Sequence, residues 1–169
     1  KEAERLIHRS VQILVQLVDV FPEEPDHQRR LAAAHAADGE LLRDMNRLTA
    51  AEQHLRSALS LWDVPGGHAP KSREATASRA TTLHGLGTVL MQTSRLTEAR
   101  ACLEESQRFL CDLVDSAPKS CGLRQALASV ERDLGNTYMQ AADFHVAEAH
   151  LRRAVAIERE LAADFPAAI

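Results

Sequence analysis

Eight histidines and three cysteines are the residues best equipped for chemistry in this chain of 169 residues, and spacing decides what is open to them. A helical zinc site needs two histidines at i, i+4 with a third ligand close by. No His-x-x-x-His occurs, and the nearest pair, His145 and His150, are five residues apart. The histidines therefore read as solvated surface residues, and no metal or other cofactor is expected. Cys102, Cys111 and Cys121 are odd in number and form no Cys-x-x-Cys. They read as free thiols in a reducing, cytoplasmic setting. Gly-x-Ser-x-Gly is missing, and no cysteine has a recognised catalytic context. Acidic pairs such as Glu104-Glu105 lie one helical turn from Arg100 and Arg108, a spacing that suits i, i+4 ion pairs. This inventory points away from an enzyme.

The elements that carry these residues are legible from composition and periodicity. Hydrophobic residues make up 45% and aromatics only 4%, a mix that favours closely packed helices over a β-sandwich. The net charge of −4 is mild, and no clustered Lys/Arg footprint for nucleic acid is visible. The longest apolar stretch, Val11 to Phe21, is broken by Gln12, Gln16 and Asp19, so no membrane span is expected. The chain starts at Lys1 and reads as a piece of a longer protein.

A step of 48 residues organises the whole sequence. It relates Gly39, Gly87 and Gly135, and also Pro22, Pro70, Pro118 and Pro166. It relates Ala3, Ala51, Ala99 and Ala147, and Ile7, Leu55, Leu103 and Leu151. Ser10, Ala58, Ser106 and Ala154 form a small column; Leu48, Leu96 and Phe144 a large one. Three units follow at 23–70, 71–118 and 119–169, with 1–22 as the second half of a preceding unit.

Inside each unit the apolar period is helical, as in Leu127, Val130, Leu134 and Tyr138, or Ala51, Leu55, Ala58, Leu59 and Trp62. Thr49-Ala50-Ala51-Glu52 matches a capping box. Thr97 stands at the same place in the next unit, and Asp143 is the candidate cap in the third. The prolines close each unit, and Pro65-Gly66-Gly67 cuts one helix short. Helices are expected over 1–20, 27–46, 50–63, 72–93, 97–116, 121–141 and 145–164. A glycine inside a helix costs about 0.5–1 kcal/mol relative to alanine, so the glycine column implies close backbone approach. Ala51 and Ala58, with their equivalents, are the expected other side.

A Gly, an Ala twelve residues on, a Leu four later and a small residue three beyond form a signature. It appears as Gly39/Ala51/Leu55/Ala58, Gly87/Ala99/Leu103/Ser106 and Gly135/Ala147/Leu151/Ala154. This resembles the tetratricopeptide repeat (TPR) family, although the period exceeds that family's usual value of about 34. The resemblance implies an all-α solenoid of antiparallel helix pairs, about seven helices in a right-handed superhelix. Arg-Leu-Thr-x-Ala entering the second helix and Leu-Ala-Ala-Asp-Phe-Pro leaving it look like extended arrays of bacterial signalling proteins, which often follow a serine/threonine kinase domain. No kinase motif lies in these residues.

The resemblance further implies that first helices line a concave groove for a protein or peptide. Its groove positions fall on Ala36/His84/Arg132, Glu40/Thr88/Asn136, Arg43/Met91/Met139 and Asp44/Gln92/Gln140. The last two units thus offer His84, Thr88, Met91, Gln92, Arg132, Asn136, Met139 and Gln140, a mixed polar stripe with flexible Met suited to an extended peptide. Arg132 and Asn136 resemble half of the family's carboxylate clamp, whose other half is missing at Ala36 and Glu40. The implied function is a protein- or peptide-binding scaffold in a larger signalling protein. The alternatives are a peptide-sensing domain of a transcriptional regulator and, further off, an all-α enzyme.

The N-terminal helix is apolar around most of its circumference, which calls for burial on more than one side. Val11, Leu14, Val15 and Val18 are the expected contacts of a homodimer formed through it.

Overall fold

The structure is a computed structural model that describes residues 2–22, 24–62 and 72–164. The helical periodicity becomes seven α-helices: α1 (Glu2–Val20), α2 (Pro25–Asp44), α3 (Leu48–Trp62), α4 (Arg73–Gln92), α5 (Leu96–Ser116), α6 (Cys121–Gln140) and α7 (Phe144–Asp164). Among the described residues there is no strand. Pairs α2–α3, α4–α5 and α6–α7 pack most extensively, and each stacks on the next through its neighbouring helix. The chain is an all-α solenoid of helix pairs. The segment holding Pro65, Gly66, Gly67 and Pro70, and the end from Phe165 with Pro166, lie outside the described residues.

Three-residue turns join the helices of each pair, and all three have one geometry. Asn46, Ser94 and Ala142 adopt the left-handed conformation, with φ of 58°, 61° and 61°. The next residue donates its N–H five residues back, as Arg47 to the Leu42 carbonyl at 2.8 Å, Arg95 to Leu90 at 2.9 Å and Asp143 to Tyr138 at 2.9 Å. This is a Schellman closure, which satisfies carbonyls that a helix end leaves without partners.

The expected capping box does not form. Thr49 lies inside α3, which begins at Leu48. The cap of α5 is Arg95, without a side-chain cap bond, so Thr97 is not in the capping position either. The Glu52 carboxylate turns instead to Arg95, at 2.7 and 2.8 Å, and to Arg56 at 2.9 Å. Asp143 does cap, accepting from the Val146 N–H at 3.4 Å. The Schellman turn leads straight into the second helix, which leaves no free position for a Thr cap.

The core runs through the joints. Leu42, Ala51, Leu55, Leu86, Val89, Leu90 and Ala99 form one cluster across the first two pairs. Ala80, Leu103, Leu110, Leu113, Leu127, Val130 and Leu134 form a second across the next two. Each pair thereby shares core with its neighbours in the stack, as expected of a one-dimensional array. In the small-residue column, Ser106 is buried and donates to the Ala80 carbonyl at 2.7 Å. The backbones of α2 and α4, and those of α4 and α6, come close, whereas among the described residues α3 and α5 approach through side chains such as Arg56 and Glu98. The first helices therefore form the inner, closer-spaced rank.

Candidate functional site

The inner rank brings several of the predicted groove residues together and redirects others. His84 on α4 reaches Asp133 on α6, Nε2 to Oδ2 at 2.8 Å, bridging two successive first helices. The Thr88 hydroxyl donates to carbonyls of its own helix, His84 at 3.0 Å and Gly85 at 2.8 Å. Met91 is half-buried, and its sulfur accepts from the Thr137 hydroxyl at 3.4 Å. Gln92, Met139 and Gln140 are exposed, and Asn136 is half-buried. Arg132 is exposed but pairs with Glu158 of α7 at 3.1 Å. Its guanidinium thus already meets a carboxylate of its own chain.

That pairing follows from position in the stack. Glu158 occupies the column of Leu110, which is buried under the following pair. No pair follows α7 among the described residues, so this column is open there. Met139, Phe144 and Val155 are correspondingly exposed and flank Leu151 in a shallow groove on the same face.

At the other end α1 packs on α2, and this changes the expected docking face. Val11 is buried, so it belongs to the packing of α1 and not to a free surface. Leu14 and Val18 are half-buried, while Val15, Leu6 and Ile13 are exposed.

The histidines are less superficial than their spacing suggested. His150 is held by the buried Glu131 at 2.7 Å and stacks on Tyr138, ring centroids 5.5 Å apart. Four further groups meet where α1, α2 and α3 converge. Asp38 is buried, and its Oδ2 lies 3.2 Å from His54 Nδ1 and 3.6 Å from His8 Nδ1. His54 Nδ1 is also 3.2 Å from His35 Nδ1. One ring proton cannot serve both neighbours, and Asp38 Oδ2 receives no hydrogen bond of good geometry. Burial, then the nearby His54, hold the His35 imidazole below its usual range, against the pull of Asp38. The signal for this cluster lay in the 48-residue columns, where Asp38 stands in line with Leu86 and Leu134.

Other chemistry finds little support. Among the described residues, no group of three or more His, Cys, Asp or Glu is arranged to hold a metal ion. The three cysteines are free and half-buried, and burial pushes the Cys102 and Cys111 thiols up, away from the reactive thiolate. No helix among the described residues is long and apolar enough to cross a membrane.

The helix pairs, the cores they share and the inner rank give geometric content to the repeat. Residues 79–106 and 123–167 match the family model for the tetratricopeptide repeat. No curated protein matches the chain. From its columns, its helix pairs and this match, the chain belongs to the tetratricopeptide repeat family.

Proposed function

We propose that this array is a scaffold within a larger signalling protein, and that a peptide or protein segment lies along its inner rank over α4 and α6. Repeats of this family generally mediate protein–protein interaction and typically form non-enzymatic scaffolds. The observation that carries the proposal is the His84–Asp133 bridge at 2.8 Å, which ties α4 to α6, the two helices on which Gln92, Met139 and Gln140 are exposed. A polar rank with flexible methionine suits an extended ligand whose backbone seeks donors and acceptors. Arg132 would exchange Glu158 for a ligand carboxylate, a swap between two exposed pairs that costs little.

Affinity capture with the chain as bait identifies the segment, and Arg132→Ala with Asn136→Ala then tests its seat. Weakened capture at nearly unchanged melting temperature is expected, since surface substitutions usually stay within about 0.5 kcal/mol. Equal capture by wild type and the double variant would remove this seat. Self-association through α1 belongs to the same proposal, with Val15, Leu14 and Val18 as contacts and the exposed Ile13 in place of Val11.

A further inference from the structure

Three imidazoles and one buried carboxylate meet where α1 packs on α2 and α3, close enough for protons to decide which contacts hold. His35 and His54 approach Nδ1 to Nδ1 at 3.2 Å. Such a contact needs a proton on one nitrogen and a lone pair on the other, so one of the two rings must be neutral. Asp38 Oδ2 lies 3.2 Å from His54 Nδ1 and 3.6 Å from His8 Nδ1. Its single negative charge offsets one imidazolium, not three.

The charges around this cluster come from all three helices, and they line or border a cleft of about 500 Å³. Helix α1 brings Arg5 and Arg9 beside His8, with Glu4 one turn before His8 in its sequence. Helix α2 brings His35 and Asp38. Helix α3 brings His54, and ahead of it stands Arg47, which has a partner of its own. Protons on both His35 and His54 would therefore set positive charge on α2 and α3 against the guanidinium groups of α1. Burial, then His54, already hold the His35 imidazole low, the direction expected where a second proton is resisted. A histidine depressed in the folded state stabilises above its unfolded pKa of about 6.5, and that contribution is lost as pH falls through the lower folded value.

Helix α1 is also the element with least to hold it. Among the described residues its backbone comes close to α2 alone, and Val11 is its one fully buried side chain. We infer that this joint is an acid-sensitive latch: α1 is docked on α2 near neutral pH, and a second proton on the histidine cluster breaks the His35–His54 contact and loosens α1 while the rest of the array stays folded. Histidine sets the window at about pH 5 to 6.5, above the range in which the Glu52 and Glu98 carboxylates titrate. The cluster lies apart from the inner-rank residues of α4 and α6, so this inference and the scaffold proposal can fail separately.

Amide hydrogen exchange of the whole chain in dilute solution, read by mass spectrometry and corrected for its intrinsic pH dependence, follows each helix by itself. Between about pH 7.5 and about pH 5, peptides of α1 should lose protection about tenfold or more, and those of α5 and α6 should keep theirs. His35→Gln and His54→Gln each remove one ring of the contact, and in either variant α1 should keep its protection in acid. His150→Gln, on α7 and outside the cluster, should leave the response of α1 intact. The two rings sit on different helices, so if one variant has lost α1 already at neutral pH the other decides. Loss of α1 at neutral pH in both would show that the contact itself, not its protonation, holds the helix, and would overturn the inference. Unchanged α1 protection in the wild type, a loss shared equally by all helices, or a response that survives both substitutions would overturn it as well.

Discussion

A Cβ placed on Gly87 would lie 2.7 Å from Cγ of Leu103, the fully buried leucine of the partner helix. The relationship repeats at Gly39 with Leu55, 2.6 Å, and at Gly135 with Leu151, 2.7 Å. No real Cβ tolerates such an approach, and the leucine branch point cannot swing away in a filled core.

Gly87→Ala is therefore expected to destabilise the array, although alanine is the better helix former. Overpacking costs about 1–3 kcal/mol, against a propensity gain of about 0.5–1 kcal/mol. Thermal unfolding should fall by a few degrees. Gly122→Ala is the control, since nothing lies within 4 Å of a Cβ there, and it should raise stability. A rise on Gly87→Ala matching that of Gly122→Ala would show that the helices do not approach as described.

The glycine column was visible in the sequence, but its partner was not. Small residues were expected to face it, Ala51 and Ala58 with their equivalents. The structure sets the leucine branch there, with the Ala51, Ala99 and Ala147 carbonyls just behind at 3.3, 3.4 and 3.2 Å. Periodicity reports which residues share a helix face; it does not report which atom of the facing helix arrives first. Helix ends fell close to expectation because repetition fixes them three times over. The threonine caps did not, because Thr49 and Glu52 satisfy the capping-box pattern while the Schellman turn before them has already set the helix start. In the inner rank, Asp133 was overlooked because its column otherwise holds Ala37 and Gly85, which offer no polar signal.

Ala142 occupies the left-handed turn position that Asn46 and Ser94 fill in the other pairs. A Cβ in that conformation costs roughly 1–2 kcal/mol, and asparagine is among the few non-glycine residues that visit it readily. Ala142→Gly should therefore stabilise the chain by about 0.5–1 kcal/mol, the relief exceeding the entropy that glycine adds to the unfolded state. Chemical denaturation measures this directly. A loss of stability would mean that Ala142 does not hold a positive φ in solution.

Acid should weaken the ion network between α3 and α5. Burial opposes ionisation of Glu52, but hydrogen bonds from Arg95 and Arg56 outweigh it and hold the carboxyl below its usual range. Arg95 likewise holds Glu98 low, against a smaller opposing effect of burial. A carboxylate depressed in the folded state stabilises above its unfolded pKa of about 4.3, and that contribution disappears as pH falls through the lower folded value. Arg95→Gln should then lower the melting temperature at pH 7, and the difference from wild type should shrink below about pH 4. Because Arg95 is partly exposed, 1 M salt should also reduce it. A deficit unchanged from pH 7 to pH 3 would mean that lost packing, not charge, is what the arginine provides.

Leu6 and Ile13 share one side of α1 and are 60% and 49% exposed, and Val15, on another side of the helix, is 39% exposed. A groove between α1 and α2, lined by Leu6, Ile13 and Leu14 with Ala33 and Ala34, runs beside them. A second copy of the chain supplies the matching apolar helix, and a twofold arrangement covers both copies with one kind of contact. Light scattering at tens of micromolar should report a dimer of the 18.6 kDa chain. Ile13→Glu and Val15→Glu should return it to monomer with little change in melting temperature, because both side chains already face water. Val11→Glu should behave differently, since it buries a charge under α1 and should loosen that helix from α2. A wild-type monomer across that range would end the dimer proposal, and a dimer that persists in both exposed-site variants would move its interface away from α1.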